Sequence, residues 1–185
     1  MKKFLMAIML TVMVCLQFPV EAAPSNTWQD DSFKLSSIQR FYLNPYKMNY
    51  KASATSPEIA KIQSMFMENG MDNKYFIVSD TDMQRFLMRD HKVDITAKND
   101  KEAATAIEPY LGKYTDAYVV MTIVHNNRVV IFYDVYAAQT GKMVYSYQVI
   151  AGASDEDDIK TYSNLTKNFF HEFNRAAKAQ AKQKK

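Results

Sequence analysis

Asp116-Ala117-Tyr118-Val119-Val120-Met121-Thr122-Ile123-Val124 is the stretch on which the fold turns. It is almost wholly apolar and rich in β-branched residues, as expected of a central strand covered on both faces. Asn126-Asn127 then reads as a turn, Arg128 to Tyr136 as a second strand, Gln139-Thr140-Gly141-Lys142 as another turn, and Met143 to Ile150 as a third strand. The three strands make an antiparallel meander.

Downstream, Ser154-Asp155-Glu156-Asp157 reads as the cap of a long helix, in which Ile159, Tyr162, Leu165, Phe169, Phe173 and Ala176 recur every three or four residues. Residues 179–185 form a basic, Ala-rich tail, read as a fraying, solvated helix end. Upstream, Asn99-Asp100-Lys101-Glu102 opens a helix with a buried stripe of Ala103, Ala104, Ile107 and Leu111. Gly112 is expected to end that helix, and Pro109 to kink its last turn. Tyr75 to Val78 is a short strand that runs into the cap cluster Ser79-Asp80-Thr81-Asp82, with Met83, Phe86 and Leu87 inward. Ser56-Pro57-Glu58 starts an earlier helix carrying Ile59, Ile62, Met65 and Phe66, stopped at Asn69-Gly70.

Lys34 to Tyr42 reads as the first strand, closed by Pro45, with a polar loop over Lys51 to Ser56. The order is β-α-β-α-α-β-β-β-α over a single α+β domain at 34–178. The expected architecture is one sandwich: a mixed sheet ending in the meander, packed by three or four helices. Residues 24–33 are polar and expected to be a flexible entry, with Trp28 able to pin it to the body.

The first 23 residues address the chain. Lys2 and Lys3 precede an apolar run from Phe4 to Leu16, and Val20-Glu21-Ala22-Ala23 supplies a small-residue exit. This is signal-peptide grammar, and the run is short of the roughly 20 residues of a membrane span. An exported protein is expected, periplasmic or extracellular, with no stable membrane anchor after cleavage. The only cysteine, Cys15, leaves with the signal, so the mature chain of about 160 residues must hold together by packing alone. Loss of Lys2, Lys3 and Glu21 lowers the net charge of +3 by one, too small an excess for a nucleic-acid protein.

Three segments carry a resemblance. They are Ile38-Gln39-Arg40-Phe41-Tyr42-Leu43-Asn44-Pro45-Tyr46, the Asp116-Ala117 entry into its apolar strand, and the hairpin Asp134 to Ser146 around Thr140-Gly141-Lys142. The arrangement resembles the envelope superfamily that includes the curli-secretion protein CsgG, the lipoprotein activators of penicillin-binding proteins and the TolB amino-terminal domain. The resemblance implies the α+β fold and an envelope setting. Val14-Cys15 does not have the lipoprotein spacing, and no extra membrane-hairpin segments of the CsgG kind are present.

No nucleophile frame, phosphate loop or metal-ligand spacing occurs. In His171-Glu172 the place of a zinc helix's second His is held by Arg175. No catalytic, cofactor or metal residue is therefore expected. Among acids, Asp80, Asp82 and Asp134 would have to converge for catalysis. The least bland feature is aromatic: Tyr145 and Tyr147 alternate onto one sheet face, with Tyr136 nearby and Arg128 as a charged neighbour. These four are the expected partner-binding residues, for an envelope protein or for self-association. A small-ligand or glycan platform on the same aromatics is the alternative.

Overall fold

A computed structural model describes residues 25–52, 59–125, 127–153, 155–156 and 158–183. The signal segment, the Ser56 cap, Asn126, Ser154 and Asp157 lie outside the described residues. The meander is present as β5 (Ala117–His125), β6 (Val129–Ala137) and β7 (Met143–Ile150), paired antiparallel in sequence order. Ahead of it come β1 (Ser25–Gln29), β2 (Arg40–Leu43), β3 (Asn49–Ala52) and β4 (Phe76–Val78). The helices are α1 (Ile59–Asp72), α2 (Asp80–His91), α3 (Asp100–Ile107), α4 (Leu111–Tyr114) and α5 (Ile159–Gln183).

All seven strands form one mixed sheet in the order β1-β7-β6-β5-β2-β4. β3 pairs parallel with the second half of β5, on the edge whose first half takes β2. Between them Pro45–Lys47 is a 3-10 turn, with Asn44 accepting the Tyr46 N–H. The expected α+β architecture is therefore realised, with two short strands added.

One addition corrects the expected flexible entry. Ser25–Gln29 pairs antiparallel with β7, from Ser25 opposite Val149 to Gln29 opposite Tyr145. Nothing in Ser-Asn-Thr-Trp-Gln alternates in polarity; the strand exists because β7 offers an unpaired edge. Trp28 does not pin it inward, since it is 48% exposed. The expected first strand also changes: Leu35–Ser37 is a 3-10 turn and only Arg40–Leu43 is extended.

Two layers of helix cover the sheet. On one face α1 and α5 bury Phe41, Leu43, Ala117, Val119, Met121, Ile123, the odd-numbered residues of β6, and Tyr145, Tyr147 and Val149. Aromatic rings dominate this core: Tyr133 stacks on Phe169 at 4.6 Å, and Tyr145 meets Phe173 edge-on at 5.1 Å. On the other face α2, α3 and α4 cover Tyr42, Val78 and Tyr118 with Met83, Leu87, Ala103, Ile107 and Leu111.

Local signals hold in altered form. Asp158 caps α5 by accepting the Thr161 N–H at 2.7 Å, while Asp155 accepts the Gly152 N–H. Pro109 converts the end of α3 into a 3-10 turn over Glu108–Tyr110. Gly112 lies inside α4, where a Cβ would meet the Gln139 backbone at 3.1 Å, so the glycine lets the β6–β7 hairpin come close. The expected fraying tail is helical to Gln183. Buried Gln180 clamps the chain near Leu35, accepting the Leu35 N–H at 2.9 Å and donating to the Phe33 carbonyl at 2.7 Å.

Candidate interaction surface

Strand alternation gives the meander a second face, and the helical cover there stops early. Tyr118 and Tyr136 mark the boundary: they are cross-strand partners with rings stacked 5.0 Å apart and 9° from parallel. Beyond them Val120, Thr122 and Val124 of β5 share a face with Val130, Phe132 and Asp134 of β6 and with Ser146, Gln148 and Ile150 of β7. Every one of these side chains is half-buried. Val124, Val130, Phe132 and Ile150 belong to neither core. Trp28 extends the surface onto β1, opposite Ser146. Asp134 is held in place by the Ser146 hydroxyl, which donates to it at 2.7 Å. The result is an apolar strip flanked by Thr, Ser, Gln and Asp.

The four expected partner residues divide across the sheet. Tyr145 and Tyr147 are 0% and 2% exposed and lie beneath α5, which corrects their expected place on a partner-facing surface. The physical reason is area. The ring-bearing face of β7 has more apolar surface to hide than the face bearing Ser146 and Gln148, so the long helix packs on the rings. Burial pushes both hydroxyl pKa values above the ordinary tyrosine value. A glycan platform on those two rings is lost with their exposure. Tyr136 is half-buried at the boundary, packed against the second core, and exposed Arg128 stands at the hairpin tip, in step with Val130, Phe132 and Asp134. Val130, Phe132 and Trp28 were not anticipated; the alternation Arg128-Val130-Phe132-Asp134-Tyr136 was the signal for the first two.

The three carboxylates expected of an enzyme are taken up separately. Asp80 accepts the hydroxyls of Tyr42 and Tyr46 at 2.9 and 3.0 Å and the Gln84 amide at 2.7 Å. Burial, first, and then the Asp80 charge raise the Tyr42 hydroxyl well above 10 and the Tyr46 hydroxyl to about 12. Asp80 also touches a cleft of about 180 Å³ whose walls include Leu43, Met67 and Ile77. Committed to three donors, it has little capacity left as a general base there. Asp82 accepts from Ser79 at 2.7 Å and pairs with Arg85 at 2.6 Å, in the first turn of α2. Asp134 belongs to the uncovered sheet face.

At the other end of α2, Tyr114 donates to Asp90 at 2.6 Å and lies 3.1 Å from His91 Nε2, while Arg89 forks onto Asp90 at 2.6 and 3.0 Å. The Arg89 and Tyr114 hydrogen bonds hold the Asp90 carboxyl far below the ordinary carboxylate range. This cluster ties α2 to α4. Among the described residues, no three His, Cys, Asp or Glu side chains gather to hold a metal ion, and no helix is long and apolar enough to cross a membrane.

No family model matches the chain, and no curated protein matches it in sequence. Three solved structures are similar to it in part. The PelC dodecamer from Paraburkholderia phytofirmans is similar at TM-score 0.46 and 6% identity, over 80% of this chain and 94% of that one. The LpoB C-terminal domain from Escherichia coli gives TM-score 0.44 and 13% identity, over 66% and 97%. The lipoprotein GNA1162 from Neisseria meningitidis gives 0.46 and 9%, over 74% and 97%.

Proposed function

We propose that this chain is an exported, non-catalytic accessory protein of the bacterial envelope, and that it docks another envelope protein on the uncovered face of its meander. The observation that carries the reading is the strip Val124, Val130, Phe132 and Ile150, half-buried apolar side chains on one face of the meander that belong to neither core. Covering such side chains gains about 25 cal/mol for each Å² removed from water, and the polar residues around them suit the rim of an interface. Phe132 is the central anchor; Tyr136 and Arg128 flank it at the two ends of its strand row.

The signal-peptide grammar of residues 1–23 supports export. The resemblance of the Ile38–Tyr46, Asp116–Val120 and Asp134–Ser146 segments to the CsgG and TolB envelope superfamily supports the setting. The engagement of Asp80, Asp82 and Asp134 by separate neighbours supports a role in binding over chemistry. Substituting Phe132→Glu should weaken capture of the envelope partner at least about tenfold while far-UV circular dichroism is unchanged. Undiminished capture by the folded variant would place the docking surface elsewhere.

A further inference from the structure

Among the described residues β1 is the terminal strand of the sheet, and none of them pairs with its outer edge. Asp30 donates its N–H to the Val144 carbonyl at 3.0 Å, which fixes the phase of the β1–β7 ladder. By antiparallel alternation Asn26 and Trp28 aim their backbone groups at β7, and Thr27 and Gln29 aim theirs outward. The strand carries no lysine, proline or bulge, the devices that normally blunt an edge.

The side chains of the same two residues border a groove of about 340 Å³ between β1 and α5. Its floor is Tyr145, and its far wall is Glu172, Arg175, Ala176 and Ala179. The two alanines leave the helix side unfilled. Tyr145 is fully buried, yet its hydroxyl has no hydrogen-bond partner among the described residues. That hydroxyl is closed off from solvent beneath the groove, so the groove's reachable charged groups are those of Glu172 and Arg175. The charge of the groove is set by α5. Arg175 pairs with Glu172 at 2.5 Å, and Lys182 follows on that side with no further acid to Gln183. Lys182 continues the Ala179 side of the helix. β1 itself is uncharged, with Asp30 and Asp31 only beyond its far end.

We propose that the β1 edge and this groove bind an extended acidic peptide segment of a partner protein as an eighth strand. Backbone groups of the peptide pair with Thr27 and Gln29. Alternate side chains enter the groove, where an acceptor takes the exposed donors of Arg175. This site lies on the opposite face of the sheet from Phe132, so it is independent of the docking surface above.

The test is an amide NMR titration of the mature chain with a short capped peptide of alternating valine and glutamate, beside its lysine counterpart. The account predicts shifts at the Thr27 and Gln29 amides and at the Arg175 side chain, with the glutamate peptide bound about tenfold more tightly. Thr27→Pro removes an outward N–H that the β7 ladder does not use, and should abolish binding in a folded protein. Arg175→Gln removes the cation from an exposed helix position and should weaken binding several-fold, which keeps the test open if the proline variant misfolds. Phe132→Glu should leave these shifts intact. Unmoved β1 amides at saturating peptide, or equal affinity for the lysine peptide, would overturn the proposal. So would a dimer, seen in sedimentation, that perturbs Thr27 and Gln29 without peptide, because a second copy would then occupy the edge.

Discussion

Asp116 receives the Arg40 guanidinium on one carboxylate oxygen at 2.8 Å, and on the other the backbone N–H groups of Arg40 and Gln39 at 2.9 and 3.0 Å. One side chain thus fixes the start of β2 beside the start of β5. Thr115 adds a hydroxyl bond to the Arg40 carbonyl at 2.8 Å, and the Ala138 N–H reaches the Asp116 carbonyl at 2.9 Å. The Asp-Ala entry noticed in the sequence is therefore a junction of β2, β5 and the end of β6.

Substituting Asp116→Ala should cost about 2 kcal/mol, because two backbone donors and an arginine lose a charged acceptor. Burial acts to raise the Asp116 pKa, but the Arg40 side chain and the two N–H donors outweigh it and hold it below the ordinary value. Its contribution is therefore complete above the unfolded aspartate pKa of about 3.9, and is lost as pH falls through the lower folded value. Urea titrations at neutral and acid pH should show the gap between wild type and Asp116→Asn closing at the acid end.

Gln180→Ala should cost about 1–3 kcal/mol, since it strips the Leu35 N–H and the Phe33 carbonyl of their partner in a buried place. Hydrogen exchange at the Leu35 amide reads the effect directly. Protection there should fall well before that of β5 and β6.

Replacing Tyr145 and Tyr147 together by alanine should destabilise the fold by several kcal/mol, because both rings pack against Phe169 in the main core. Any loss of partner capture by that variant would follow from unfolding. A thermal melt separates the cases: the double alanine variant melts early, and Phe132→Glu does not.

Asp80→Ala should leave the Tyr42 hydroxyl buried without its acceptor and cost about 1–3 kcal/mol, with partner capture unchanged in the surviving folded fraction. A denaturant midpoint and a pull-down on the same sample check both halves.

The meander was legible from the continuous apolar, β-branched run of β5 and the turn residues that divide the strands after it, and the long C-terminal helix from its unbroken period of about 3.6. β1 was not, because Ser25–Gln29 becomes a strand only through the edge that β7 presents. Tyr145 and Tyr147 were rightly placed on one face of one strand, but alternation alone does not say which face a helix will cover. The clue was on the other side. Ser146, Gln148 and Asp134 are cheaper to leave wet than two tyrosine rings, so the uncovered face is the one that mixes them with Val130 and Phe132. The Gln180 clamp left no sequence signal, since its partners are backbone groups near Leu35.

Site-specific photo-crosslinking in the intact envelope tests the central claim most directly. A photoreactive phenylalanine analogue at Phe132 should yield a defined protein adduct, and the same analogue at exposed Lys101 on α3 should yield none. Adducts from Lys101 and silence from Phe132 would contradict the assignment of the uncovered meander face as the docking surface.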